Sequence, residues 1–80
     1  MAVSVVFLGK LADLAGAPEA SLAAPLDWDG LLAALPPALA EEVASERVRL
    51  AVDGELLADK TSMSAPDGSE VALLPPVSGG

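Results

Sequence analysis

The chain has 80 residues, with 12 acidic side chains against 4 basic ones, and its net charge is −8. That length holds one small domain, and the absence of Cys, His and Tyr excludes a disulfide scaffold, thiolate metal sites and a His-activated serine. The acidity excludes nucleic-acid binding, because four cations cannot neutralise a phosphate backbone.

Any chemistry must therefore come from carboxylates, from a partner protein or from the chain terminus. Negative charge suits steering towards electropositive partners; it also serves solubility alone. No apolar run reaches membrane-spanning length. The opening stretch Ala2–Leu8 has no basic segment before it and no cleavage-like site after it, so it is not read as a signal peptide. Cytoplasmic residence is the resulting expectation.

Ala2–Leu8, rich in Val and bounded by Gly9, reads as a first strand. Val3, Val5 and Phe7 share one face, and Ser4, Val6 and Leu8 the other. Leu11 and Leu14 are spaced for a short helical turn over Lys10–Ala15, stopped at Gly16. Glu19–Ala24 follows Pro18 and reads as an edge strand. Asp27 is an N-cap, Asp29 favours the helix dipole, and Trp28, Leu31, Leu32 and Leu35 make one apolar stripe.

Pro36-Pro37 ends that helix, and Pro37 can open a second short one, Ala38 to Ser45, with Leu39 and Val43 inward. Glu41, Glu42 and Glu46 then face solvent; a solvated helical face explains them better than a paired-carboxylate site. Val48–Val52 alternates as a strand, Asp53-Gly54 signals a type I′ hairpin, and Glu55–Leu57 returns as a short strand. Asp59 to Pro66 reads as a surface loop plugged by Met63. Asp67-Gly68 is a second turn before the last strand, Glu70–Leu74.

The helix must cover one face of the sheet, which gives an α+β roll of about five strands on one main helix. The first and last strands can pair in parallel through the long helical connection. Val5, Phe7, Trp28, Leu31, Leu35, Leu50, Val71 and Leu73 are the expected core. Residues 1–74 form the domain and 75–80 a flexible tail. Pro75 and Pro76 favour an extended exit, and Gly79 and Gly80 place a slim carboxylate at its tip. A frayed terminus is the plain alternative; against it, the apolar run Val71-Ala72-Leu73-Leu74 anchors the base of the tail.

The ending Val-Ala-Leu-Leu-Pro-Pro-Val-Ser-Gly-Gly, Val71–Gly80, resembles that of the small subunits of molybdopterin synthases, within the ubiquitin-like β-grasp sulfur carriers (MoaD/ThiS-like). Phe7-Leu8, Asp13-Leu14-Ala15-Gly16, Leu31-Leu32 with Leu35, Leu50-Ala51-Val52-Asp53-Gly54 and Asp67-Gly68 extend the resemblance along the chain. Asp53 stands where that family usually has Asn, and Ala12 where it often has Arg. The second departure weakens one partner contact; the first suits a hairpin corner equally well.

The resemblance implies a β-grasp fold and a Gly80 carboxylate that an ATP-dependent, E1-like enzyme adenylates. A sulfur donor protein then makes the thiocarboxylate. The tail (Pro75, Pro76, Val77, Ser78, Gly79) enters the large subunit of a heterotetrameric synthase, where sulfur passes to the pterin precursor. No bound cofactor or metal is implied; ATP is used by the activating enzyme. The small subunit supplies sulfur and no acid or base of its own.

Three other readings stay open: a carrier for another pathway such as thiamine synthesis, a ubiquitin-like modifier joined to lysines, and an interaction module with an incidental Gly-Gly. Pro-Pro-Val before Ser-Gly-Gly favours the molybdopterin carrier over thiamine carriers. Strand parity finally predicts an apolar partner surface of Val6, Leu8, Ala72 and Leu74, extended by Leu56, at the base of the tail. A covering loop or a two-sided core is the alternative.

Overall fold

The computed structural model describes residues 2–75. The sheet is built from β1 (Ala2–Phe7), β2 (Glu19–Ala23), β4 (Arg49–Val52), β5 (Glu55–Leu56) and β7 (Glu70–Leu74). Its order is β2-β1-β7-β4-β5, so the last strand lies in the middle. β1 and β7 run parallel, with Val5 opposite Val71 and Phe7 opposite Leu73, whereas β2 and β4 are antiparallel to their neighbours. The parallel pair is bridged by everything between Leu8 and Ser69, as a parallel connection requires.

One face of this sheet is closed. Val3, Val5, Phe7, Leu50, Val71 and Leu73 are buried there beneath helices α1 (Lys10–Ala15), α2 (Trp28–Ala34) and α3 (Pro37–Ala44), which contribute Leu11, Leu31, Leu39 and Val43. The helical layer is thus broken at Pro36-Pro37 into two pieces. Pro36 cannot continue α2, since residue 35 before it is driven to an extended conformation (φ −98°, ψ 151°). Pro37 then starts α3 at a position where its missing N–H costs nothing. Asp27 caps α2 as expected, accepting from the Gly30 N–H at 2.8 Å.

Glycine stops α1 as the sequence suggests: Gly16 sits at φ 77° and donates to the Ala12 carbonyl. The Asp53-Gly54 corner has φ 52° and 82°, the two positive values that a type I′ hairpin needs. Asp53 does more than turn the chain. Its carboxylate accepts from the Glu70 N–H at 2.9 Å and from the hydroxyl of buried Ser69 at 3.0 Å.

Two expectations need correction. Trp28 and Leu35 are half-buried rather than core. Trp28 is the first residue after the N-cap, at the rim of the helical layer, where the Lys60 ammonium stands 5.8 Å from its ring centre. The segment 59–66 is more than a loop: a 3₁₀ turn at Lys60–Ser62 leads into β6 (Ser64–Ala65), which pairs with β3 (Leu26–Asp27) as a second, two-stranded sheet. Two-residue strands lie below the length at which alternation can be read from sequence. Met63 is buried, as the plug reading requires.

Candidate functional site

The open face of the sheet follows from register. Residues opposite one another across the ladders share a face, so Glu19, Val6, Ala72, Ala51 and Leu56 form one row across all five strands. The row on one side of it is polar: Ser21, Ser4 and Glu70. On the other side, towards the C-terminal end of β7, Leu74 stands opposite Arg49. Polarity on this face therefore falls along β7 in the direction of the tail.

Val6, Ala72 and Leu74 are half-buried, Leu8 is 40% exposed and Leu56 is 55% exposed. The register thus brings Val6 and Ala72 together, joins Leu56 to them through Ala51, and sets Leu74 one row beyond; Leu8 extends β1 beside Leu73, to whose carbonyl its N–H donates at 3.3 Å. The helical residues Leu11, Leu31, Leu39 and Val43 cluster with the opposite parity of the sheet. Ala51, already shielded by its neighbours, and Arg49, exposed, belong to this surface and were missed. Their place on this face depends on the pairing of β4 with β7, which the sequence does not specify.

The tail base is held on both sides. Leu74 is the last paired residue of β7, and half-buried Pro75 lies against Gly9, where a Cβ would meet its Cγ at 3.1 Å. Pro76, Val77, Ser78, Gly79 and Gly80 lie outside the described residues. The carboxylate cluster considered at Glu41, Glu42 and Glu46 does not pair with itself: Glu42 meets Lys10 at 3.0 Å. Among the described residues, no group of three or more His, Cys, Asp or Glu side chains could hold a metal.

Lys60 is also accounted for. Its ammonium donates to the carbonyls of Val43 and Val48, both at 2.9 Å, and of Ser45. It thereby caps the C-terminal end of α3, which has no basic residue of its own in its last turn. Burial lowers its pKa from 10.5, Arg49 adds to the effect and Glu46 opposes it. The groove beside it, about 330 Å³, mixes Glu46 and Asp59 with Arg49 and Lys60, so it offers no field of one sign to an ionic ligand.

A five-stranded mixed sheet with parallel first and last strands, helices on one face and a C-terminus leaving the central strand defines a ubiquitin-like β-grasp protein. The ThiS family model matches residues 5–80, and the chain belongs to that family. Among solved structures it is similar to SAMP1 from Haloferax volcanii, at 27% identity and TM-score 0.76 over 100% of both chains. It is also similar to the small archaeal modifier protein 1 (SAMP1) of Methanosarcina acetivorans, at 26% identity and TM-score 0.78 over 99% of this chain and 96% of that one. A third likeness is to a chain in the complex of subunits 1 and 2 of molybdopterin-converting factor from Helicobacter pylori 26695, at 26% identity and TM-score 0.67 over 100% of both chains. No curated protein matches the chain.

Proposed function

We propose that this chain is the sulfur carrier of a molybdopterin synthase. One observation carries the reading: an apolar, uncovered sheet face runs into the base of a tail that ends in Gly-Gly, on a chain similar throughout to one solved in complex with a converting-factor partner subunit. The open face docks on the large subunit and the tail extends from it into that subunit's site. A tail alone has too few contacts to fix its own geometry, and a hydrophobic footing at its base supplies them.

The chemistry is at Gly80. A carboxylate is a poor electrophile, so an activating enzyme first joins it to AMP: the carboxylate oxygen attacks the α-phosphorus of ATP and pyrophosphate leaves. Sulfide-level sulfur from a donor protein then adds to the acyl carbon, AMP departs and a thiocarboxylate remains. This chain contributes the carboxylate, the docking face and the acidic steering field. Its lack of His and Cys fits a protein that performs no acid–base or thiolate step. ATP-dependent activation is compatible with the cytoplasmic residence expected from the sequence.

Incubation with ATP, the activating enzyme and a sulfur source tests this by intact mass: one oxygen-for-sulfur exchange is expected, followed by transfer to the large subunit's pterin substrate. Deletion of Gly80 should abolish both with Tm unchanged. A chain that stays unmodified sinks the reading. The likeness to SAMP1, named a modifier, favours a second reading in which activated Gly80 is joined to lysine amines; lysine-linked conjugates in place of thiocarboxylate would be its signature.

A further inference from the structure

We propose that Gly9 is a positioning residue: it seats the Pro75 ring and so aims the C-terminal tail. The proposal rests on the sulfur-carrier reading for its activity readout, but its geometry does not.

The seat is built where β1 and β7 part. Their parallel register ends at Phe7 opposite Leu73, and the Leu8 N–H makes the last contact, to the Leu73 carbonyl at 3.3 Å. Gly9 then turns the chain into α1 with φ 56° and ψ −132°, a conformation open to glycine and strained for other residues. The space left by its missing side chain is taken by Pro75. A Cβ on Gly9 would lie 3.1 Å from the Pro75 Cγ and 3.8 Å from its Cβ. The ring would have to give by a few tenths of an ångström.

That small displacement is magnified. The pyrrolidine ring locks φ of Pro75, and the proline after it confines ψ of Pro75 to the extended region. Once the ring is seated, little freedom remains in the direction of the next peptide. A few tenths of an ångström over a pivot of ~3 Å is a rotation of about 0.1 radian. Five residues reach at most about 16 Å, so about 1–2 Å at the Gly80 carboxylate is the upper limit, reached when a partner holds the tail extended. Misplacement on that scale costs up to about 100-fold in rate.

A double-mutant cycle of Gly9→Ala and Pro75→Ala separates aiming from backbone strain. In the parent background, Gly9→Ala should lower kcat/KM for sulfur transfer about tenfold. In the Pro75→Ala background, where the ring atom it strikes is gone, the loss should shrink to about twofold, and the fall in Tm should shrink to the part that comes from backbone strain at Gly9. Equal losses in both backgrounds, or transfer by Gly9→Ala at the parent rate, would overturn the proposal. The second arm uses the free protein by NMR. Gly9 Hα should show cross-relaxation to the Pro75 ring protons, and Gly9→Ala should change the amide residual dipolar couplings of Val77 and Ser78 but not those of β7. Absent cross-relaxation or unchanged couplings would overturn the seat whether or not sulfur is carried. A parent chain that is never thiocarboxylated but shows both NMR signatures would remove the sulfur-carrier reading and leave the seat standing.

Discussion

The two faces of one sheet use alternate residues of the same strands for opposite ends. On β1, Val5 and Phe7 are sealed beneath the helices while Val6 between them is half open; on β7, Val71 and Leu73 are sealed and Ala72 and Leu74 are not. The closed face buries Val3, Val5, Phe7, Leu50, Val71 and Leu73 in one cluster with helical Leu11, Leu31, Leu39 and Val43. The open face changes character along β7, from Glu70 through Ala72 to Leu74 beside the tail, with Arg49 opposite Leu74 as a charge at its border. A face kept only for solubility would have no reason for that gradient. On the proposed reading, stability is written into one parity and partner binding into the other.

The sharpest way to break this division is to cut each face in turn. Phe7→Ala should cost about 3–5 kcal/mol, much of a small domain's total of about 5–15 kcal/mol, and thermal or urea unfolding will show it. Leu74→Asp should leave unfolding nearly unchanged while weakening binding to the large subunit and the activating enzyme about 10–100-fold, or about 1.4–2.7 kcal/mol. Leu8→Asp should do the same to a lesser degree, since Leu8 lies beyond the paired strand. Titration calorimetry against each partner checks both. If both variants bind as the parent does, the docking face lies elsewhere.

Most of this was legible because strand alternation survives folding. Ala2–Leu8 and Glu70–Leu74 place both parities correctly without knowledge of the helices. Proline and glycine punctuation marked the ends of α1, α2 and β4 for the same reason: these residues restrict the backbone locally, whatever packs around them. The sequence could not yield what depends on contacts distant along the chain. Lys60 reads as one more surface cation until the fold brings it to the end of α3. Gly9 reads as a strand boundary until Pro75, 66 residues later, is found against it. The tail's own residues beyond Pro75 rest on the sequence alone.

Lys60 sharpens the comparison, because it supports the closed side only. Replacing it with Met keeps the aliphatic stem but leaves the carbonyls of Val43, Ser45 and Val48 without their donor. We expect a loss of about 1–2 kcal/mol, read by urea unfolding. Affinity for partners should hold, since Lys60 is not on the row from Glu19 to Leu56. A variant that unfolds as the parent does but binds poorly would place Lys60 on the docking side and blur the division between faces.

The smallest effect is the pH response of the turn that carries Lys60. Asp59 accepts from the Thr61 hydroxyl at 2.6 Å and from its N–H at 3.0 Å, and these bonds, the hydroxyl first, hold its pKa below 3.8. A carboxylate with a lowered folded-state pKa binds fewer protons folded than unfolded. Its contribution is therefore complete above about 3.8 and is lost as pH falls through the lower folded value. Asp59 is exposed, so solvent keeps the effect small. Asp59→Asn retains an acceptor for Thr61 but cannot titrate, so the difference in Tm between parent and variant should narrow as pH drops below about 3.8. A difference that stays constant across that window would show that the Asp59–Thr61 contact does not depend on charge. Partner binding measured in the same acid range should not separate the two proteins, because the turn lies off the docking row; if it does, the open face reaches further around the sheet edge than register alone places it.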